Sequence, residues 1–212
     1  MPTEKYLVFG RLLRAAESMS RAAVWAGGLL TIASVLLISY DVIVRKLFAI
    51  TVGGSDELSS YAFAISTSWA LAFATLQRAN VRVDVIYQML PVRVSAVVDW
   101  ICLVALGVFM AYLTWYAWDV VAASWIQESR SNTTLGTPLW IPQGLWFLGL
   151  VWMCIVLALM LLRSSVALVT GDIDTLKAIC GVRSSQEEAA EEAAAGERMV
   201  HGDAKQNNGA AA

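Results

Sequence analysis

Between Ala22 and Leu162 the chain holds four long stretches without Asp, Glu, Lys, Arg or His: Ala22–Tyr40, Leu58–Gln77, Trp100–Trp118 and Leu139–Leu162. A helix rising about 1.5 Å per residue needs roughly 20 apolar residues to cross a ~30 Å hydrocarbon core, and each stretch is at or near that length. The expected architecture is all-α: an integral membrane protein with four transmembrane helices, over residues 22–44, 57–77, 96–118 and 140–162. Ionisable groups inside a membrane usually mark a substrate or proton pathway. Here they stand only at the edges of the spans.

Composition agrees. With 58% hydrophobic and 15% charged residues, the 212-residue chain lies outside the usual soluble range. The formal charge of −2 hides an uneven distribution, because the acidic excess is gathered in the C-terminal tail while the membrane-proximal segments are basic. Net charge gives no reason to expect a nucleic-acid partner. Cys102, Cys154 and Cys180 are too few and scattered for a disulfide framework or a Cys-x-x-Cys redox site, and the first two suit apolar packing. His201, in the polar tail, is the only histidine, which argues against a b-type haem held between helices. No metal-ligand cluster, phosphate-binding glycine loop or nucleophile beside a base is visible. No catalytic, cofactor-binding or metal-binding residue is expected, and the chain is not read as an enzyme.

Charge placement also orients the spans. Lys5, Arg11, Arg14 and Arg21 precede the first span, Arg78, Arg82 and Arg93 lie in the second connection, and Arg163, Lys177 and Arg183 follow the last. Only Arg45, Lys46 and Arg130 stand on the other two connections. Basic residues favour cytoplasmic loops, so both termini are expected in the cytoplasm. Ala22–Tyr40 is too long an apolar run for a signal peptide and is read as a retained span. Residues 1–21 interleave Leu12, Leu13 and Ala16 with Arg11, Arg14 and Glu17, an interfacial amphipathic pattern, and residues 164–183 repeat it through Ile173, Leu176 and Ile179. Residues 22–163 then form the transmembrane domain, and residues 184–212, rich in Glu, Ala, Gly and Asn, a tail expected to be disordered. Small residues crowd the second span through Ala62, Ala64, Ser66, Ser68, Ala70, Ala72 and Ala74, which predicts close helix–helix contact.

Three constellations sit at the span edges. Asp41, Arg45 and Lys46 leave the first span and Asp56 and Glu57 open the second; they serve as snorkelling anchors, or else Glu57 pairs with Arg45 and sets how the first two helices meet. Arg78-Ala-Asn-Val-Arg-Val-Asp84, closing on Leu90-Pro91, follows the second span; its valines fit both a strand and a helical face. Its charges stand where anionic lipid headgroups would meet them. Thr133-Thr-Leu-Gly-Thr-Pro-Leu-Trp-Ile-Pro142 precedes the fourth span, where Pro138 and Pro142 predict a turn that sets the approach of the last helix.

In this order the three resemble the small membrane subunit (DctQ family) of tripartite ATP-independent periplasmic (TRAP) transporters, from about Tyr40 to Leu162. The resemblance rests on Arg45 after the first span, Glu57 opening the second, Arg78, Arg82 and Asp84 in the Arg-x-x-Val-x-Val-Asp-like loop, and Pro138 with Trp140 before the fourth. Asn80 stands where the family often has a histidine, and Trp146-Phe-Leu-Gly149 where it often has Pro-x-Gly. The resemblance implies a multi-pass protein of the bacterial inner membrane that braces a large membrane subunit. That subunit would carry an anionic solute, often a carboxylate, inward with sodium after delivery by a periplasmic solute-binding protein that docks transiently. The seven matching residues would then orient helices or meet the partner.

A different class of function is a small autonomous exporter or channel that oligomerises to build a pathway from edge residues such as Asp99 and Asp119. The orientation is testable without choosing between the two. A periplasm-active reporter should be silent at the C-terminus and active near Asn132, and the reverse pattern would overturn the assignment.

Overall fold

The computed structural model describes residues 3–51, 53–78, 91–172, 176, 179, 193 and 196, with the side chains of residues 3–9, 92 and 93 left out. Four helices account for nearly all of them: α1 (Thr3–Phe48), α2 (Ser55–Leu76), α3 (Val92–Ile126) and α4 (Trp140–Thr170). Arg82, Asp84 and nearly all of the tail expected to be disordered lie outside the described residues. The chain divides into two compact units, Met1–Cys180 and Gly181–Ala212, and everything below concerns the first. In the second, the described positions Ala193 and Gly196 are helical.

Helix α1 has 46 residues and is continuous through residue 21, so the amphipathic segment and the first apolar stretch form one rod about 69 Å long. Arg11, Arg14, Glu17 and Arg21 change the environment the helix suits without interrupting it, because Arg and Glu are good helix formers. Arg21 reaches back to Glu17 at 2.9 Å, one turn away.

Helices α1, α3 and α4 are long and apolar enough to cross a membrane, over Gly10–Phe48, Val94–Ile126 and Trp140–Thr170. The second stretch differs from the other three. With 22 residues α2 has the length, but its apolar character is diluted by Ser55, Asp56, Glu57, Ser59, Ser60, Ser66, Thr67 and Ser68. Asp56, Ser60 and Thr67 are exposed, whereas Ser55, Glu57, Ser59, Ser66 and Ser68 are buried, and hydroxyls on the buried face, Thr75 included, find acceptors. Ser59 donates to the Ser55 carbonyl at 2.8 Å, Thr75 to that of Leu71 at 3.0 Å, and Ser66 to those of Ala62 at 2.6 Å and Gly27 at 2.9 Å.

The helices pack in the order α1, α2, α4, α3, with a lighter contact between α1 and α4. Between α1 and α2 the backbones nearly touch, since a Cβ on Gly27 would lie 3.2 Å from the Ser66 Cα. Between α2 and α4 a Cβ on Gly149 would overlap the Ser68 hydroxyl and lie 2.9 Å from its Cβ. The Trp69 indole N–H donates to the Leu145 carbonyl at 3.1 Å across the same seam. Of the small residues expected to make contact, Ala62, Ser66, Ser68 and Ala72 are buried, and Ala64, Ala70 and Ala74 lie at the margins.

Helix α4 is enclosed on two sides, so its buried set is broad: Gly149, Leu150, Met153, Val156, Leu157, Met160, Ser164 and Ala167. Against α3 it pairs Trp118 with Phe147 at 5.5 Å and Trp125 with Trp140 at 4.7 Å between ring centroids. Further along, the Trp100 indole donates to Ser165 Oγ at 3.1 Å. Leu176 and Ile179, beyond α4, are buried in the same apolar cluster as Ala16, Ala96 and Ala167. The outer flanks are the reverse of this interior. Trp25, Leu29, Ile32, Leu36, Ile43 and Leu47 stand exposed along α1, as do Val108, Phe109, Tyr112 and Trp115 along α3.

If close approach at Gly149 holds α2 to α4, Gly149→Leu should destabilise the detergent-purified protein by about 1–3 kcal/mol or more through overpacking. Gly144→Ala, where nothing lies within 4 Å, should be neutral or stabilising. Thermal unfolding followed by tryptophan fluorescence checks both.

Candidate functional site

The residues singled out by sequence divide between the two ends of the helix row. Arg45, Glu57, Pro138 and Trp140 gather at the end that carries the α1–α2 and α3–α4 connections. Arg78 lies at the opposite end, and Arg82 and Asp84 are outside the described residues.

Glu57 lies in the first turn of α2 and is 9% exposed. A carboxylate so enclosed is costly unless donors surround it. Two hydroxyls do so: Tyr61, one turn along α2, donates at 2.6 Å, and Thr133 donates from the α3–α4 connection, 76 residues away in sequence. Thr133 is itself held, since its hydroxyl lies 3.0 Å from Ser131 Oγ and its N–H donates to the same oxygen at 3.3 Å. Sequence reasoning left Glu57 a choice between anchoring and pairing with Arg45; in the structure its partners are the hydroxyls of Tyr61 and Thr133. Arg45 pairs instead with Asp41, one turn back on α1 and almost fully buried. On one helix the two are already aligned, so their pairing needs no further ordering of the chain.

The loop that supplies Thr133 is a small hairpin of its own. Arg130 and Pro138 form an antiparallel bridge, flanked by Ser131 N–H to the Thr137 carbonyl and Leu139 N–H to the Ser129 carbonyl, both 3.0 Å. Pro138 occupies a position from which no amide is required, so its missing N–H costs nothing there. The turn closes with Gly136 N–H on the Thr133 carbonyl at 3.2 Å. Pro138 also accepts from Ile141 at 3.2 Å and thereby leads into α4, whose first residue, Trp140, stacks edge-to-face on Trp125 at the end of α3. The turn expected before the last helix is present, and its tip rests on the other connection.

That seat is made by two glycines. A Cβ on Gly53 would overlap the Thr134 hydroxyl, and one on Gly54 would overlap the Leu135 side chain. Gly54 also has φ +88°, in the left-handed region that favours glycine. The adjacent pair Gly53-Gly54 was the available signal for this contact, but nothing in it named the partner loop.

At the opposite end Arg78 is half-buried with φ +56°, closing α2 through its N–H to the Thr75 carbonyl at 3.0 Å. It has a further interaction. Near it, Gln77 on α2 donates to Glu17 on α1 at 3.3 Å, and Trp152 on α4 donates to the fully buried Ser20 on α1 at 3.0 Å. Sequence reading passed over both contacts. Each joins residues far apart in the chain, and single polar residues near span ends look like ordinary solvated positions.

The arrangement at the loop-bearing end is one of fixation: the Glu57 carboxylate oxygens are each engaged by a hydroxyl, and the loop around them is closed by its own backbone. The family model described as tripartite ATP-independent periplasmic transporters, DctQ component, matches residues 34–166, which takes in Arg45, Glu57 and the whole loop. No curated protein and no solved structure matches the chain.

Removing either side of the Glu57–Thr133 contact should lower the midpoint of thermal unfolding by a few degrees, and the two losses should not add. Thr133→Val in a Glu57→Ala background should change the midpoint far less than Thr133→Val alone. Equal shifts in the two backgrounds would show that the residues do not act together.

Proposed function

We propose that this chain, which belongs to the DctQ component family of tripartite ATP-independent periplasmic transporters, is a non-catalytic subunit that braces the large permease subunit in the bacterial inner membrane. The large subunit moves an anionic solute, of the carboxylate class, inward with sodium after a periplasmic binding protein delivers it. The observation that carries the bracing role is the distribution of side chains. The spaces between α2, α4 and α3 are filled by Met110, Met153, Leu157 and Met160, while large apolar side chains are turned outward along α1 and α3. A scaffold presents apolar surface to lipid and to a partner helix; a conduit for an anion needs polar groups along an open path.

In this reading α2 also crosses the membrane, making four spans with both termini cytoplasmic. Its internally bonded serines support that placement, because in lipid every buried polar group needs a partner within the protein. So does the meeting of the two connections at one end, which an even number of antiparallel crossings requires. Arg11, Arg14, Arg21, Arg78 and Arg163 then fall at the cytoplasmic end, near anionic headgroups, with Arg45, Lys46 and Arg130 outside. Arg45, Glu57, Arg78, Arg82, Asp84, Pro138 and Trp140 act by orienting the helices or by meeting the partner.

For an autonomous exporter, Asp99 and Asp119 would have to contribute to one pathway. Asp99 is fully buried with interactions of its own, and Asp119 is exposed 20 residues away, about 30 Å along α3. Nothing in this placement favours that function.

Purification of the tagged chain in mild detergent should bring with it a large polytopic membrane protein. The chain alone in liposomes should take up no solute, and reconstitution of both should restore sodium-dependent uptake. Recovery of homo-oligomers only, or uptake by this chain alone, would overturn the proposal.

A further inference from the structure

The four helices form two hairpins, α1–α2 and α3–α4, and along most of their length these meet only where α2 lies on α4. That seam is narrow. Ser68 against Gly149, Trp69 against Leu145 and Thr75 against Met153 define a single line of contact between two parallel rods. Two rods joined along one line can roll about it. What opposes rolling is a contact away from that line, and the structure has one at each end.

At the end carrying Arg78, Ser20 of α1 receives the Trp152 indole N–H of α4. At the other, the hairpin loop 129–139 reaches over the start of α2, where Thr133 donates to Glu57, Leu135 sits on Gly54 and Thr134 on Gly53. We infer that the loop and the start of α2 form a clasp, closed by the buried Glu57 carboxylate, that makes the two hairpins one rigid body and stays closed while the transporter works. The inference rests on the bracing role, since a brace that flexed between its halves would not hold the permease in register.

Three features of the clasp fit a permanent closure. Glu57 is almost fully enclosed, so opening would strip from its carboxylate the charge-assisted hydrogen bond from Thr133 and the hydroxyls of Ser131 and Thr137 that the loop also brings to it, leaving Tyr61 on its own helix. The loop is internally rigid through the Arg130–Pro138 bridge and the Gly136 turn, so it behaves as a preformed piece. Gly53 and Gly54 let it lie directly on backbone, with no side chain to act as a hinge pad.

The geometry supplies its own test. A Cβ on Gly53 would stand 3.3 Å from the Thr134 Cβ, a few tenths of an ångström inside the roughly 3.5–4.5 Å of two bridged cysteines, so a small outward shift of the loop completes the geometry. The variant Gly53→Cys with Thr134→Cys, in the full chain with its large subunit, should form a disulfide in high yield on mild oxidation, detected by mass spectrometry after proteolysis. Oxidised and reduced complexes should transport within about twofold of each other. Failure of the disulfide to form would show that the loop is not seated as described. Loss of uptake in the oxidised complex, restored by a reductant, would show that the clasp must open and would overturn the inference. Neither result touches the bracing role, which stands or falls on co-purification with the permease. As a second approach, Glu57→Ala should leave the chain membrane-inserted yet lower the disulfide yield several-fold; an unchanged yield would remove Glu57 as the closure.

Discussion

The fold depends on one helix being able to place a polar, small-residue surface between apolar neighbours without leaving a hydrogen-bonding group unsatisfied. Helix α2 does this with serine and threonine hydroxyls that return to carbonyls three or four residues back, and with Ser66, which also crosses to Gly27 on α1. An unsatisfied hydroxyl in an apolar interior costs on the order of a few kcal/mol, so the arrangement is viable only because every one of these donors has an acceptor near at hand. Its return is closeness. Where α2 presents Ser66 to α1 and Ser68 to α4, the helices approach until backbone and Cβ atoms touch, and attraction between packed atoms replaces the hydrophobic driving force that lipid does not supply.

The rest of the row follows from that choice. Small residues in the middle require large ones elsewhere, and α4 provides them toward α3 through Leu161, which lies on Gly107, and through Phe147 and Trp140, whose rings meet Trp118 and Trp125. The outer faces of α1 and α3 need no protein partner for stability, because hydrocarbon solvates Leu29, Ile32, Leu36 and Phe109 as well as a neighbouring helix would. Those faces are therefore free to be shaped by what docks on them.

How much of this was legible in the sequence depends on the kind of signal. Residence in a membrane was legible because it needs only length and the absence of charge. The special status of α2 was half legible: its alternating Ala and Ser residues announced close packing, whereas their effect on apolar character made this the one of the four helices that length and hydropathy together do not mark as a span. Helix ends were largely hidden. Ala49, Arg78 and Glu128 follow α1, α2 and α3 in the left-handed conformation, yet only Gly171, after α4, is the residue type that normally signals such a stop. The start of α1 was hidden for the opposite reason, since the charges before Ala22 mark a change of surroundings that a continuous helix ignores. Glu57 shows the limit for sites. Its role as a buried acceptor could be suspected from its place at a span edge, but the nearest cations in sequence were Arg45 and Lys46, whereas the donor that reaches it from another element is Thr133. Only the packing of α2 beside α4 brings the α3–α4 connection over the α1–α2 connection.

The charged groups are handled in two ways. At the end carrying Arg78, charged and polar residues such as Glu17, Arg21 and Gln77 form a surface network that adjusts to water and headgroups, and contacts of this sort contribute ~0–1 kcal/mol each. At the loop-bearing end Asp41 and Glu57 are drawn into the protein, where a lost partner leaves a buried charge unbalanced and the penalty is far larger. Evolution tolerates such an expense where position matters more than stability. Asp99, near the start of α3 at the other end, is fully buried as well and has interactions of its own, so a carboxylate is enclosed wherever partners are supplied to it rather than at one end alone.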